Sequence, residues 1–308
     1  MWYLPVAFVL CCAFFAYWRA FFSYRKHYNY RKLPIKNQKN EVHARIHTMI
    51  DDIERQSPSK TFTILSKDKK RLHARYYHIA DGAPLHIQFH GYRSSGYRDF
   101  CGGTKLAREL GYNTLVVDQR AHGKSGGRSI TFGIREKEDC RAWAEFAAET
   151  FGRETPIFLS GVSMGAATVL MASELSINAK VVGIIADCPY SSPEEIIKKV
   201  CGQDMKLPIK IAYPFVVLGA LMFGRFRIRG GAMQAVQNTN IPICIIHGQA
   251  DTFVPCEMSR QIAESAKSKC ELHIFEGAGH GLSFIVDEPR YRDIIEKFSK
   301  ECLEGELK

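Results

Sequence analysis

Residues 157–174 read IFLSGVSMGAATVLMASE, and this stretch decides the fold. An apolar, strand-like run over residues 157–160 leads into Gly161-Val162-Ser163-Met164-Gly165, and a helix-forming stretch follows. In this strand, turn and helix order, the two glycines let the chain turn sharply enough to raise Ser163 above the sheet edge at a helix N-terminus. The stretch therefore predicts a nucleophilic serine on a tight turn.

A serine nucleophile needs a histidine base and a carboxylate that orients the histidine. The apolar run ICIIH at residues 243–247 leads into GQAD, which places Asp251 past the carboxyl end of a strand, and GAGHG at residues 277–281 places His280 on a glycine-flanked loop. We predict Ser163 as nucleophile, Asp251 as acid and His280 as base. The competing interpretations are a helix cap for Asp251 and an ordinary loop histidine for His280, with Asp187 as the alternative acid.

The negative charge of a tetrahedral intermediate requires two backbone N–H donors. We assign one to Met164, directly after the nucleophile, and the other to Tyr92, in the loop FHGYRS at residues 89–94. The side chain of Tyr92 is then available to line the substrate pocket. His90 is interpreted as a structural histidine that braces this loop, because His280 already fills the role of base.

A second polar loop, DQRAHGKS at residues 118–125, follows another apolar strand. It lacks the glycine and lysine spacing of a Walker motif, so we interpret Asp118, Arg120 and His122 as a turn-stabilising network. The ten cysteines contain no C-x-x-C pair, and we predict neither a disulfide nor a metal site.

Strand-like runs alternate with helical patterns along most of the chain, which predicts an α/β fold with a mostly parallel sheet and helices on both faces. The stretch at about residues 190–237 interrupts the alternation and contains 13 uncharged residues at 211–223. Because this run is too short to cross a bilayer, we predict an inserted lid. The main α/β domain is assigned to residues 61–308, preceded by a basic connector at residues 24–60 with a helix around residues 42–55.

The N-terminal segment is apolar from residue 2 to residue 22, interrupted by Arg19, and this length matches one bilayer crossing at ~1.5 Å per residue. It has neither the basic start nor the cleavage site of a signal peptide. Basic residues follow the span: Arg19, Arg25, Lys26, Arg31 and Lys32. We predict a single-pass transmembrane anchor over residues 1–23 with the domain in the cytoplasm, the alternative being an amphipathic helix on the membrane surface.

The net charge of +10 supports this interpretation, because residues 1–75 hold 15 basic and 5 acidic groups and thus the whole excess. The remainder is electrically balanced, so we predict a membrane partner and no nucleic acid.

The motifs at residues 89–94, 118–125, 161–165, 248–251 and 279–280 together resemble the α/β-hydrolase superfamily, especially its serine-aminopeptidase and prolyl-oligopeptidase-like members and their membrane-anchored relatives. The resemblance covers about residues 60–302. It implies the α/β-hydrolase fold with an eight-stranded sheet, no cofactor, and hydrolysis through an acyl-enzyme on Ser163. The chain has no room before residue 60 for the propeller of prolyl oligopeptidases.

We expect a membrane-anchored serine hydrolase that cleaves carboxylic esters, with small-molecule or lipid-like acyl substrates favoured. One alternative is a peptidase or amidase with the same Ser163, Asp251 and His280. The other is a catalytically silent hydrolase fold that serves as a membrane-tethered binding module. The oligomeric state is not predicted.

Overall fold

Eight strands form one sheet in a computed structural model that describes residues 3–24, 31 and 40–305. The strand order is β1-β2-β4-β3-β5-β6-β7-β8, and β2 alone runs antiparallel to its neighbours. The strands are β1 (Lys60–Leu65), β2 (Arg71–Tyr77), β3 (Leu85–Phe89), β4 (Asn113–Asp118), β5 (Ile157–Val162), β6 (Val181–Asp187), β7 (Ile243–Gly248) and β8 (Cys270–Phe275). The predicted mostly parallel, eight-stranded sheet is confirmed.

Twelve α-helices lie in the described residues. They are α1 (Tyr3–Ala20), α2 (Asn40–Arg55), α3 (Gly96–Asp99), α4 (Cys101–Glu109), α5 (Glu136–Phe151), α6 (Met164–Ala172), α7 (Pro193–Lys199), α8 (Ile209–Gly219), α9 (Ala232–Ala235), α10 (Cys256–Ser265), α11 (Ser283–Val286) and α12 (Glu288–Glu304). Two apolar cores separated by the sheet show that helices cover both faces.

Strands β3 and β4 are buried along their whole length, and β5 is buried at all but its last residue, because both faces of the sheet are covered. On one face, Trp143 of α5 and Val169 of α6 pack in a core with Ile87 of β3. On the other face, Phe298 of α12 packs with Phe158 of β5. The carboxyl ends of the parallel strands meet at one edge of the sheet, and the site described below lies at that edge.

Helices α7, α8 and α9 are inserted between β6 and β7, where the sequence predicted a lid. Two π-helical turns, Val200–Asp204 and Ala220–Gly224, follow α7 and α8. The apolar residues from α8 to Phe226 do not enter the sheet core; they form a separate cluster with α1 that includes Val216, Ala220 and Phe226. Ala232 of α9, by contrast, packs in the sheet core.

Helix α1 is long and apolar enough to cross a membrane, a property that anchor helices share with signal sequences. Its carboxyl end is built into the domain. Phe22 forms an isolated antiparallel bridge with Ser129, the N–H of Ile130 donates to the carbonyl of Phe21 at 2.8 Å, and the Ser23 hydroxyl donates to the carbonyl of Ala121 at 2.7 Å. Residues 21–23 therefore pair with the domain like an added edge segment.

The predicted helix of the connector corresponds to α2, which packs on α3, α4 and α11 through Ile46, Ile50 and Ile53. Arg31 pairs with Asp51 and Glu54 of this helix. Three of the basic residues on which the predicted membrane orientation depends, Arg25, Lys26 and Lys32, lie outside the described residues. The domain boundaries at residues 23, 60 and 308 remain predictions.

Candidate active site

Ser163 lies on the turn between β5 and α6, with φ 55° and ψ −114°. A non-glycine residue in this region is strained, and such strain is typical of a nucleophile held on a sharp elbow. The flanking glycines make the turn possible, because a Cβ on Gly165 would lie 1.7 Å from the carbonyl oxygen of Phe89, and one on Gly161 would lie 2.2 Å from the carbonyl carbon of Gly165.

The structure brings the three predicted residues together. His280 Nε2 lies 2.9 Å from the hydroxyl oxygen of Ser163, and His280 Nδ1 lies 2.6 Å from Oδ2 of Asp251. With a proton on Nδ1, the ring donates to the carboxylate and leaves Nε2 free to accept the serine proton. This chain of contacts is the geometry required for nucleophilic catalysis by Ser163.

The carboxylate of Asp251 is completely shielded from solvent. Burial alone raises the pKa of a carboxyl group, but hydrogen bonds with His247 and His280 outweigh burial and hold the pKa of Asp251 well below its usual range. The backbone N–H groups of Phe253 and Val254 also donate to Oδ1, at 2.8 and 2.9 Å. Asp251 is thus a fixed negative charge beneath the histidine, which favours its role as the acid over that of a helix cap.

The alternative acid, Asp187, ends β6 and is fully buried. Burial raises its pKa to about 6, and its Oδ2 accepts a hydrogen bond from the Tyr291 hydroxyl at 3.3 Å. Among the described residues, Oδ1 of Asp187 has no hydrogen-bond partner. Asp187 lines the cavity beside Ser163, whereas the contact with His280 Nδ1 is made by Asp251.

The loop that holds Tyr92 lies directly over Ser163, since a Cβ on Gly91 would be 3.3 Å from the Cβ of Ser163. Asp99 fixes this loop by accepting hydrogen bonds from the Gly91 N–H and the Ser94 hydroxyl, each at 2.7 Å. On the other side of Ser163, Met164 is the first residue of α6, where N–H groups have no partner inside the helix. Tyr92 and Met164 thus flank the nucleophile, as the proposed oxyanion donors must.

Histidines brace the loop from behind. Gln119 donates its N–H to His90 Nε2 at 3.1 Å, and the N–H of Arg93 donates to His122 Nε2 at 3.0 Å. Burial lowers the pKa of His122 to about 3, so its ring stays a neutral acceptor. Asp118 pairs with Arg75, and Arg120 pairs with Asp139. These residues form the structural network that the sequence predicted.

A cavity of about 860 Å³ opens at Ser163 and runs inward beneath the helices on the α12 side of the sheet. Its inner wall is mainly apolar, with Ile46 of α2, Leu106 of α4, Phe284 of α11 and Ile295 of α12. A space of this size accommodates a small organic molecule or an acyl chain.

Several residues of the site have no signal in the sequence. Phe253 packs edge-on against the His280 ring with centroids 5.0 Å apart, and Cys188 lies next to Asp251. Asp99 orders the loop of Tyr92, and the carbonyl of Ala20 in α1 accepts the Tyr92 hydroxyl at 2.8 Å. The contacts of Phe253, Cys188 and the Tyr92 hydroxyl join segments that are distant in the chain, whereas Asp99 reaches Gly91 over eight residues. None of these contacts follows a periodic pattern, and periodicity and spacing report only regular local structure.

A metal is a poor fit to the one group of potential ligands within the described residues, namely Cys188, Asp251 and His280, whose ligand atoms lie within 4.8 Å of one another. The carboxylate and Nδ1 of that group already bond to each other. Burial raises the pKa of the Cys188 thiol well above its usual value, whereas metal binding requires the thiolate.

Comparison with known proteins agrees with this fold. The uncharacterized protein YqkD of Bacillus subtilis (strain 168) is 26% identical over 194 residues, which are 63% of this chain and 64% of that protein, so the chain spans less than two thirds of its relative. The esterase Pf2001 of Pyrococcus furiosus is 24% identical with a TM-score of 0.63, over 79% of this chain and 89% of that one. Est1E of Butyrivibrio proteoclasticus, solved with ferulic acid bound, is 20% identical with a TM-score of 0.60, over 79% of this chain and 99% of that one.

At these identities the solved structures show a shared α/β-hydrolase fold. The sequence profile of the family described as serine aminopeptidase, S33, matches residues 86–217 and 226–285. The matched segments include Ser163, Asp251 and His280 as well as the loop of Tyr92. The chain therefore belongs to the serine aminopeptidase S33 family of α/β-hydrolases.

Proposed function

We propose that the protein is a serine hydrolase that cleaves carboxylic esters through an acyl-enzyme on Ser163. The observation that carries the proposal is the continuous hydrogen-bonded chain from the Ser163 hydroxyl through His280 to the buried carboxylate of Asp251. A chain of this kind raises the nucleophilicity of a hydroxyl group that is otherwise unreactive at neutral pH.

In the proposed first step, His280 Nε2 accepts the proton as Ser163 Oγ bonds to the carbonyl carbon of the ester. The N–H groups of Met164 and Tyr92 receive the oxyanion. When the tetrahedral intermediate collapses, the bond to the alcohol oxygen breaks, and His280 returns the proton to the leaving alkoxide. Water then repeats the sequence on the acyl-enzyme, which releases the acid and restores the serine.

The cavity favours an ester with an apolar acyl group. Besides Asp251, three carboxyl groups line the cavity. Asp99 accepts from Gly91 and Ser94, and Asp204 pairs with Lys199. The third, Asp187, is fully buried, and burial raises its pKa to about 6, which disfavours the charge that would hold a free amine. Transfer of an acyl chain from water to the apolar inner wall is favourable, with a free energy of about 0.8 kcal/mol for each CH₂ group buried.

We further propose that α1 anchors the protein in a membrane and that the hydrolase domain is cytoplasmic. The basic residue of α1, Arg19, lies in its last turn, and further basic residues follow the helix, an asymmetry that favours this orientation. Carboxyl-terminal fusion to a reporter active only in the cytoplasm tests this. We expect reporter activity there, and activity of a reporter that works only outside the cytoplasm contradicts the orientation.

A panel of p-nitrophenyl esters of graded acyl length, run beside an aminoacyl p-nitroanilide, tests the substrate class. We expect turnover of the esters, with kcat/KM rising with acyl length until the cavity is filled, and little turnover of the anilide. The Ser163→Ala variant is the control and is expected to be inactive on both. Preferential cleavage of the anilide by the wild type supports a peptidase, and no turnover by folded protein supports the binding module.

A further inference from the structure

The lid insertion carries an apolar surface that the sheet core does not use. The lid helix, defined here as Ile209–Gly224, exposes Ile211 to 63% and Met222 to 48%. Leu221 and Phe223 are also exposed, as is Leu207 just before the helix. Contiguous exposed apolar side chains on a folded domain indicate an interaction surface.

The lid helix packs against α1. A Cβ on Gly219 would lie 2.4 Å from the carbonyl oxygen of Ala13, so the two backbones approach as closely as glycine permits. The ring of Phe223 makes an edge contact with Phe14 at 5.2 Å and lies 6.0 Å from the ring of Tyr17. Close contact across a glycine is the way in which helices associate within lipid.

The free half of α1 is apolar on every side. All seven residues from Tyr3 to Val9 are exposed, and none of them is charged. A helix that is apolar on every side is stable when it is buried in protein or lipid. The rest of the described protein covers only the second half of α1, so the first half is left to be covered by lipid or by another protein. The 18 residues of α1 extend about 27 Å at 1.5 Å per residue, against about 30 Å of hydrocarbon. If α1 enters a membrane, its second half and the adjoining lid helix come to the same surface.

Charge on the lid fits a lipid surface. Residues 205–229 contain five basic residues and no acidic one. Lys206 and Lys210 lie at one end of the lid helix, Arg225, Arg227 and Arg229 lie at the other, and all five are exposed. The lid helix is too short to cross a bilayer. Because it has cations at both ends, both ends are expected at the headgroups, with the apolar side of the helix in the hydrocarbon.

We propose that the lid helix is a second membrane-embedded element, which lies along the surface of an anionic phospholipid bilayer beside α1. The lid leads directly to the cavity, because Asp204, which lines it, precedes the exposed Met205. Lys199 connects this end of the lid to the loop that holds Asp251, because its ammonium group donates hydrogen bonds to Asp204 at 2.7 Å and to the carbonyl of Thr252 at 2.7 Å. The mouth of the cavity thus faces the bilayer. This last point rests on the proposed function, since it gives an ester dissolved in the membrane a short path to Ser163.

Tryptophan quenching by acyl-brominated phosphatidylcholine tests the lid contact without reference to catalysis. The full-length host carries Trp2→Phe and Trp18→Phe and keeps the fully buried Trp143. One reporter is Ile211→Trp on the lid, and its matched control is Ile79→Trp. Ile79 is also exposed, but its N–H bonds to Asn113 at the amino end of the strands, opposite the site.

In vesicles that also contain phosphatidylglycerol, we expect the reporter at position 211 to lose most of its fluorescence and the one at position 79 to lose none. A Met222→Trp reporter repeats the measurement at the other end of the lid helix. A second host that keeps Trp18 and carries only Trp2→Phe reports on α1. An unquenched lid reporter together with a quenched Trp18 in that second host overturns the proposal, since α1 is then embedded and the lid is not. A lid reporter that is shielded from lipid because two copies of the chain dimerise through it also overturns the proposal, and cross-linking in vesicles detects that state.

A second variant separates this proposal from the proposed function. Ile211→Asp is expected to lower turnover of a long-chain ester embedded in vesicles at least several-fold, while turnover of a short water-soluble ester stays unchanged. Equal turnover of the embedded ester by this variant and the wild type contradicts bilayer access through the lid. If neither ester is cleaved by the wild type, the proposed function fails, whereas the quenching result still decides the lid contact.

Discussion

Replacement of Asp251 by asparagine tests which carboxylate serves the histidine. In the proposed reaction, His280 becomes positively charged 2.6 Å from a carboxylate that is completely shielded from solvent. At an effective dielectric constant of ~20, two charges about 4 Å apart attract by about 4 kcal/mol. At 1.36 kcal/mol for each tenfold change in rate, loss of this attraction alone lowers kcat by about 10³. The amide also favours the wrong histidine tautomer, so we expect a fall of about 10³ to 10⁴.

The matched control is Asp187→Asn, which makes the same chemical change in the other buried carboxylate at a strand end. We expect this variant to retain kcat within about tenfold, because Asp187 contacts Tyr291 rather than the histidine. Ester turnover with circular dichroism as the check on folding gives the comparison. The reasoning is refuted if Asp251→Asn loses less than tenfold, or if Asp187→Asn loses as much as Asp251→Asn.

Three further predictions concern stability, measured by denaturant unfolding in detergent. Gly165→Ala should lower the free energy of unfolding by at least about 3 kcal/mol or prevent folding, because its Cβ would lie 1.7 Å from the Phe89 oxygen. If this variant is as stable as the wild type, the two backbones do not approach as closely as the structure shows. Phe21→Ala should lower the free energy of unfolding by about 3–5 kcal/mol, since Phe21 is fully buried. The control, Phe8→Ala, changes an exposed residue of the same helix and should lower it by under about 1 kcal/mol. Equal effects would mean that residues 21–23 are not part of the domain. Asp187→Asn should flatten the pH dependence of stability by about 3 kcal/mol between pH 4 and 7, and an unchanged slope contradicts the raised pKa.

The sign of the last effect follows from proton binding. The folded-state pKa of Asp187 is about 6, above its value of about 3.8 in the unfolded chain. Between these values the folded protein holds a proton that the unfolded chain has released, so stability is fully present below about pH 4 and declines until about pH 6. Asparagine does not titrate, so its variant lacks this decline.

The sequence predicted much of the sheet because buried parallel strands are short and mainly apolar, as in the run at residues 157–160. It also predicted the residues that meet at the site, because Ser163, Asp251 and His280 each follow a strand at the same edge of the sheet. The order of strands and loops thus carries long-range information wherever the topology is regular.

Contacts outside the regular topology were not predictable in this way. The bridge between Phe22 and Ser129 and the hydrogen bond from Tyr92 to Ala20 join α1 to loops more than 70 residues away. These contacts depend on side-chain fit and on single backbone groups, which leave no periodic pattern in the sequence. The sequence therefore separated the anchor from the domain at residue 23, whereas the structure packs the end of α1 against the loop over the nucleophile.

Covalent labelling with a fluorophosphonate, followed by peptide mass spectrometry, tests the central claim most directly. The reagent reports only on a serine that is activated by a neighbouring base. We predict a single phosphonylated residue at Ser163, no adduct in Ser163→Ala, and much slower labelling in His280→Ala. Labelling of the folded protein at another serine, or equal labelling of Ser163→Ala and the wild type, contradicts the assignment.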